Sequence, residues 1–96
     1  MSRVFVLFQL QIDDAVGYRE YEAADHIGML KKFDGTFIGA DAAAEVLEGQ
    51  WPYRTALVEF PSKELAHAWF ESEEYRAVAE LRHRSAKSNV VIISGV

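Results

Sequence analysis

A chain of 96 residues, half of them hydrophobic, is long enough for one domain over residues 1–96 and too apolar to remain disordered. Its net charge of −5 opposes general nucleic-acid binding, and its lack of cysteine excludes disulfides, thiolate catalysis and cysteine-bound metal. Because a domain of this size buries only roughly two-thirds of its unfolded surface, association with a second copy would add useful burial.

The first predicted strand spans residues 3–12 and has apolar side chains on both faces. One face carries Val4, Val6, Phe8, Leu10 and Ile12, and the other carries Phe5, Leu7, Gln9 and Gln11. A strand with one solvated face would not need Phe5 and Leu7 there, so we expect both faces to be covered. Gln9 and Gln11 interrupt the apolar run, which is not typical of a signal peptide, and we expect a cytoplasmic protein.

A helix is predicted from residue 15 to about residue 32, with Asp14 as its N-cap. Its apolar residues form two stripes, which indicates a helix that is covered on two sides or bent. Asp34 and Gly35 end the helix, since glycine tolerates the positive φ that often follows a helix.

Further strands are predicted in the middle of the chain. Residues 36–40 form a short strand, and residues 45–48 add an edge strand or the arm of a hairpin. Trp51 precedes proline, which favours an extended or turn conformation, and the next strand spans residues 53–60 with apolar material on both faces. In that strand Glu59 lies on a partly apolar face.

The second half of the chain is predicted to add two helical segments within residues 63–84, capped by Ser62 and Ser72, and a last strand at 89–94. The order β-α-β-β-α-β is that of ferredoxin-like α+β domains, in which a four-stranded antiparallel sheet carries its helices on one face. The other face is also apolar here. We expect it to bind a second copy, since large exposed apolar patches are unusual in monomers and homodimers are the commonest oligomers.

Six short motifs, in order along nearly the whole chain, resemble one bacterial family. They are Y-x-x-Y from Tyr18, G-x-F-I from Gly35, VLEGQW from Val46, VEFPS from Val58, SEEY from Ser72 and LR from Leu81. The family is catalogued as domain of unknown function 1330, and the resemblance implies a ferredoxin-like protomer that pairs sheet to sheet as a dimeric α/β barrel. It implies no reaction, because related dimeric barrels include cofactor-free monooxygenases, small-molecule isomerases and proteins that only bind.

The chain departs from the pattern of that family at three positions. Gln9 and Gln11 stand where charged residues are expected on the first strand, and Ala40 stands where an arginine usually follows the second strand. If those charges line a pocket in relatives, the pocket of this chain is less polar and accepts a different ligand.

Glu59 and His26 are the candidate catalytic residues, each as a proton acceptor. A carboxylate on an apolar strand face is either held in a structural ion pair or available for chemistry, and both interpretations of Glu59 are open. His26 follows Asp25, but neighbouring helical side chains point about 100° apart, so the two do not form a base with its orienting carboxylate. His26 is expected to face solvent, and it would suit acid–base work if it faced a cleft.

The candidate ligand-binding residues are Tyr18, Tyr21, Trp51 and Arg82. Tyr18 and Tyr21 lie one helical turn apart, as walls of a cleft or as core aromatics with a polar end. Arg82 borders a buried stripe, where it anchors a ligand, forms a structural ion pair or extends its head group to water. Trp51 lies on a turn, where it closes a cleft or packs across a dimer interface, in which tryptophan is enriched.

Two hypotheses of function follow. In the first, the protein binds or transforms a small, partly apolar organic molecule, neutral or anionic, in a cleft between sheet and helices, with Arg82 as its anchor. In the second, it is a non-catalytic structural or interaction homodimer. No metal and no cofactor is predicted, since the three histidines lack ligand spacing. Membrane and nucleic-acid binding are not predicted, because a basic amphipathic helix and an aromatic-basic surface are missing from the sequence.

Overall fold

The computed structural model describes residues 3–96, which form an α+β domain. Its elements in chain order are β1 (Val4–Ile12), α1 (Ala15–Glu22), α2 (His26–Lys31), β2 (Thr36–Asp41), β3 (Arg54–Phe60), α3 (Lys63–Phe70), α4 (Glu73–Ser85) and β4 (Ala86–Ser94). The strands form one antiparallel sheet in the order β2-β3-β1-β4, so β1 and β3 are central. The ferredoxin-like fold predicted from the order of elements is confirmed.

The core lies between one face of this sheet and the helices. Alternate side chains of a strand point to the same face, and most of those of the two central strands that face the helices are buried. They are Val4, Val6, Phe8 and Leu10 of β1 and Val58 and Phe60 of β3. Trp69 of α3 and Tyr75 of α4 complete this layer, with ring centroids 4.3 Å apart. The helices therefore cover only one face of the sheet.

The helix predicted over residues 15–32 is broken in two. α1 ends at Glu22, and α2 begins at His26 after a new N-cap, Asp25, whose carboxylate accepts a hydrogen bond from the Gly28 amide at 2.9 Å. Aspartate favours such a break because its side chain can bond to the free amides of a first turn. The two apolar stripes predicted a helix that is covered on two sides or bent, and the structure has a complete break between two helices.

Three other local predictions differ from the structure, and in one of them the last strand begins at Ala86 instead of residue 89. Residues 45–48 form neither an edge strand nor a hairpin arm and belong to an exposed loop between β2 and β3. The positive φ after α2, 59°, belongs to Asp34 and not to Gly35. Gly35 is needed for a different reason, since a Cβ at this position would lie 2.6 Å from Cε1 of Phe60. The turn into β2 therefore lies directly against the core.

The face of the sheet opposite the helices is open and partly apolar. Phe5, Leu7 and Leu57 are half-buried there by their neighbours in the sheet, whereas Val91 and Ile93 of the edge strand β4 are 49% and 46% exposed. A single chain thus leaves the second face of β1 without the cover that the sequence predicted. No helix within residues 3–96 has the length and apolar character needed to cross a membrane.

Candidate functional site

A cleft of about 150 Å³ opens between α1, α2 and the helix-facing side of the sheet. The short side chains of Ala40 on β2 and Ala56 on β3 leave room for it beside the larger core residues. Its apolar lining also includes Phe8, Leu10, Leu30, Phe37, Val58 and Trp69, and its polar lining consists of Tyr18, Tyr21, Glu22, His26 and Arg54. An apolar cleft with a few polar groups at one side is the usual form of a small-molecule site.

Tyr18 and Tyr21 form one wall of the cleft, with ring centroids 5.5 Å apart on α1. Burial raises the pKa of both hydroxyls above the usual value for tyrosine, because a buried phenolate would lose its hydration. The Arg54 guanidinium opposes this rise of the pKa at Tyr18. The Tyr21 hydroxyl lies 2.6 Å from the hydroxyl of Tyr75 in the core. Both hydroxyls are thus kept in their neutral form, which can donate a hydrogen bond.

His26 lines the cleft and is half-buried, in contrast to the solvent-facing position expected from the sequence. Its Nε2 atom lies 2.7 Å from the backbone carbonyl of Tyr21. Because a carbonyl only accepts, Nε2 carries the proton, and Nδ1 of the neutral ring is left as an acceptor. The Asp25 carboxylate bonds to the Gly28 amide instead, so the Tyr21 carbonyl, not Asp25, orients the imidazole.

Arg54 and Glu22 form an ion pair at the edge of the cleft. The Arg54 Nη2 and Glu22 Oε2 atoms are 2.8 Å apart, and the guanidinium carbon lies 5.8 Å from the centroid of the Tyr18 ring. The pair joins β3 to the end of α1 at this side of the cleft. Both side chains are partly exposed, and the contribution of such a pair to stability is modest.

Arg82 of α4 lies beneath the cleft and does not line it. Its side chain is buried, with the guanidinium carbon 5.3 Å from the Phe8 ring centroid and 5.8 Å from the Tyr21 ring centroid. Both rings belong to the cleft lining. Within residues 3–96 no salt bridge includes Arg82, and its Nε and Nη2 atoms are buried without a hydrogen-bond partner.

Glu59 and Trp51 lie away from the cleft. Glu59 is paired with Phe5 across β1 and β3, and alternation places both on the open face of the sheet, opposite the helices. Trp51 donates a hydrogen bond from Nε1 to Oγ1 of Thr55, whose partner in the register is Gln9 on that same open face. The structure thus brings Tyr18, Tyr21 and His26 together at the cleft, with Arg82 beneath, and separates Glu59 and Trp51 from them.

Sequence reasoning missed Arg54 and Glu22. The signal for Arg54 was present, because it shares the inward face of its strand with Ala56 and Val58, where a charged side chain is unusual. Glu22 carried no comparable signal, since it belongs to the polar side of α1 and reaches the cleft only through the pair with Arg54. In the part of the chain that the structure describes, no group of three His, Asp or Glu side chains is arranged to hold a metal ion.

The fold and the cleft define a ferredoxin-like α+β protein with a candidate site between its helices and its sheet. The family described as "Domain of unknown function (DUF1330)" matches residues 3–96, and the chain belongs to this family. The family resemblance of the six motifs is therefore confirmed. No curated protein matches the chain.

Solved structures with this fold come from several bacteria. A protein of unknown function from Rhodopseudomonas palustris matches with a TM-score of 0.77 and 14% identity, over 99% of this chain and 83% of that one. SnoaB, a cofactor-independent oxygenase from Streptomyces nogalater, has a TM-score of 0.73 and 8% identity, over 100% and 95% of the chains. A dimeric ferredoxin-like protein of unknown function from Thermobifida fusca has a TM-score of 0.59 and 14% identity, over 97% and 91%. At such identities the likeness extends to the fold alone.

Proposed function

We propose that this protein binds a small, largely apolar organic molecule in the cleft between α1, α2 and the sheet, and that His26 removes a proton from it. The observation that carries the proposal is the convergence of the Tyr18 ring, the Tyr21 ring and the His26 imidazole on one mostly apolar cleft. Such a combination of apolar walls and a few polar groups orients a ligand while excluding water.

The size of the cleft limits the part of the ligand that is enclosed. At about 150 Å³ it is comparable to a protein cavity that accepts benzene. One ring or a branched chain of similar size therefore fills it, and any larger portion of the ligand extends past the Arg54–Glu22 pair at the edge.

The chemistry that this arrangement supports is proton abstraction from an acidic C–H or O–H group. The Tyr21 carbonyl holds the proton of His26 on Nε2, so the ligand's proton goes to Nδ1. Tyr18 can donate its hydroxyl proton in a hydrogen bond to the anion that forms, because its raised pKa keeps it protonated. One fold neighbour is described as a cofactor-independent oxygenase, which supports the idea that this fold can carry out chemistry without a cofactor.

The open face of the sheet supports a second part of the proposal, a homodimer. The apolar residues Phe5, Leu7, Leu57, Val91 and Ile93 share this face, and one neighbour in fold is described as dimeric. A second copy that binds there would cover them. Glu59 and Trp51, each of which the sequence left open between the cleft and the dimer face, are assigned to this contact.

Filling the cleft tests whether it is the binding site. Ala56→Phe adds a ring to the cleft wall, whereas Ala77→Phe adds the same ring at an exposed position of α4. Small ring compounds that raise the melting temperature of the wild-type protein should lose this effect with Ala56→Phe and keep it with Ala77→Phe. If no such compound stabilises the wild type, or Ala56→Phe binds as well as the wild type, the protein is better described as a non-catalytic homodimer.

Proton abstraction is tested separately with acetylacetone in D₂O. The wild-type protein should speed exchange of the acidic C–H protons, and His26→Gln should slow this exchange by about 100-fold or more, the usual effect of losing a general base. His67→Gln removes an exposed histidine from α3 and is the matched control. Equal exchange rates for His26→Gln and the wild type would contradict the role of His26.

A further inference from the structure

Arg82 is a buried cation for which the chain supplies no anion. The residue is only 1% exposed, so almost none of the guanidinium reaches water. No carboxylate in residues 3–96 forms a salt bridge with it, and its Nε and Nη2 atoms have no hydrogen-bond partner there. The two ordinary explanations for an arginine beside a core, an ion pair and a head group in solvent, therefore both fail. A buried charge without a partner is costly, which calls for another explanation.

The contacts that Arg82 does make stabilise a cation without neutralising it. The rings of Phe8 and Tyr21 lie within cation–π distance, at 5.3 and 5.8 Å from the guanidinium carbon. Arg82 also belongs to the last turn of α4, where the helix dipole favours a positive charge. These contacts explain how the side chain remains charged inside the protein. None of them carries a full negative charge.

The charges around the cleft add up to an excess of one positive charge. The charged residues of the cleft lining are Arg54 and Glu22. They neutralise each other, because they form an ion pair at 2.8 Å. Tyr18 and Tyr21 cannot supply the missing anion, since burial raises the pKa of both and keeps them neutral. Arg82 thus remains uncompensated next to the cleft. The chain as a whole has a net charge of −5, so this local excess is opposite in sign to the rest of the molecule.

We infer that the cleft takes its ligand as a monoanion that carries a carboxylate, and that the uncompensated charge of Arg82 selects it. This inference rests on the proposed function, because it names the ligand class of the same cleft. Arg82 acts through the Phe8 and Tyr21 rings, which separate it from the cleft, and not by contact. In the low dielectric of a protein interior, a charge a few ångströms away remains effective. The bound anion in turn supplies the negative counter-charge that the chain does not provide for Arg82.

The test compares acids with neutral molecules of the same shape. Benzoate and benzamide, and cyclohexanecarboxylate and its amide, are titrated at pH 7 into isotope-labelled protein, and affinity is read from the NMR shifts of cleft residues. The wild type should bind each carboxylate at least about tenfold more tightly than its amide, an effect expected of one nearby charge. Arg82→Met should lose this preference, and Arg82→Lys should retain part of it. Arg84→Met removes the same charge from an exposed position of α4 and should leave the preference unchanged.

The outcomes separate this inference from the proposed function. If the wild type binds acids and amides equally well in the cleft, the protein is a binder of small molecules but the choice of an anion is refuted. If the preference survives in Arg82→Met, Arg82 is not its source. If no acid or amide shifts the cleft residues of the wild type, the proposed function itself fails. The comparison of acid and amide in the wild type does not require any variant to fold.

Discussion

The hydroxyl oxygens of Tyr21 and Tyr75 lie 2.6 Å apart inside the core and form a direct hydrogen bond between α1 and α4. The two residues are 54 positions apart in the sequence, and both are buried. Tyr21 is also a wall of the cleft, and its backbone carbonyl holds the proton of His26. This hydroxyl pair therefore connects the stability of the core to the position of the candidate proton acceptor.

Removal of both hydroxyls of this pair should cost less than the sum of the two single removals. Tyr21→Phe and Tyr75→Phe each leave a buried hydroxyl without a partner, and each should lower the free energy of unfolding by about 1–3 kcal/mol. The double variant has no orphaned group and should be closer to the wild type than the sum of the single effects. Urea denaturation of the four proteins measures this, and strictly additive losses would show that the hydroxyls are not coupled.

The same tyrosine makes stability depend on pH in the alkaline range. Burial, reinforced by Tyr75, raises the pKa of Tyr21 in the folded state above the usual tyrosine value of about 10. As the pH rises past 10, tyrosine in the unfolded chain loses its proton while folded Tyr21 keeps it, so the unfolded state is favoured. Stability should therefore be complete below pH 10 and should fall above it. Urea midpoints should fall less steeply with pH for Tyr21→Phe, and an unchanged slope would count against this assignment.

The fold could be predicted from the sequence because the local patterns and the topology agree. Alternation in β1 identified its buried face correctly, and Ser62 and Ser72 cap α3 and α4 as predicted, each accepting a backbone hydrogen bond. The break between α1 and α2 was harder to predict. From the sequence alone, Asp25 fits an exposed position inside a helix as well as it fits an N-cap. Tertiary contacts decide which of the two conformations it adopts.

The candidate site was predicted only in part, because it is assembled from separate segments. Tyr18 and Tyr21 were found from their helical spacing, which is a local property. The ion pair of Glu22 with Arg54 depends on how α1 crosses β3, and sequence spacing does not contain that information. For Glu59, alternation grouped the side chain with Leu57 on the face away from the helices, and the structure has it on that face, paired with Phe5.

Arg82 should contribute little or nothing to the stability of the unliganded protein. Arg82→Met keeps an unbranched side chain in the core and removes a buried charge that has no anionic partner. Replacement of buried charges by apolar side chains is often neutral or stabilising, so the change in unfolding free energy should lie between zero and a gain of about 3 kcal/mol. Urea denaturation of the unliganded protein measures it, with Arg84→Met as the matched surface variant. A loss of stability would indicate that Arg82 has a structural role instead of a binding role.

A charge introduced at the centre of the open face of the sheet should weaken the proposed dimer most. Leu57 lies opposite Leu7 in the register of β3 and β1, so Leu57→Lys places a charge in the middle of this face, once in each copy. A dimer that buries this face would have to desolvate both lysines, and we expect its dissociation constant to rise by at least about 100-fold. Val16→Lys introduces the same charge at a 63% exposed position of α1 and is the control.

Sedimentation velocity and light scattering over a range of concentrations distinguish the outcomes for these variants. The wild type and Val16→Lys should have the mass of two chains, and Leu57→Lys should have the mass of one, with an unchanged circular dichroism spectrum. The apolar side chains of β4 on this face, Val91 and Ile93, would then be exposed, so the monomer should also bind a hydrophobic dye more strongly than the wild type. A wild-type protein that remains monomeric at high concentration, or a Leu57→Lys dimer of unchanged affinity, would show that the open face is not the contact.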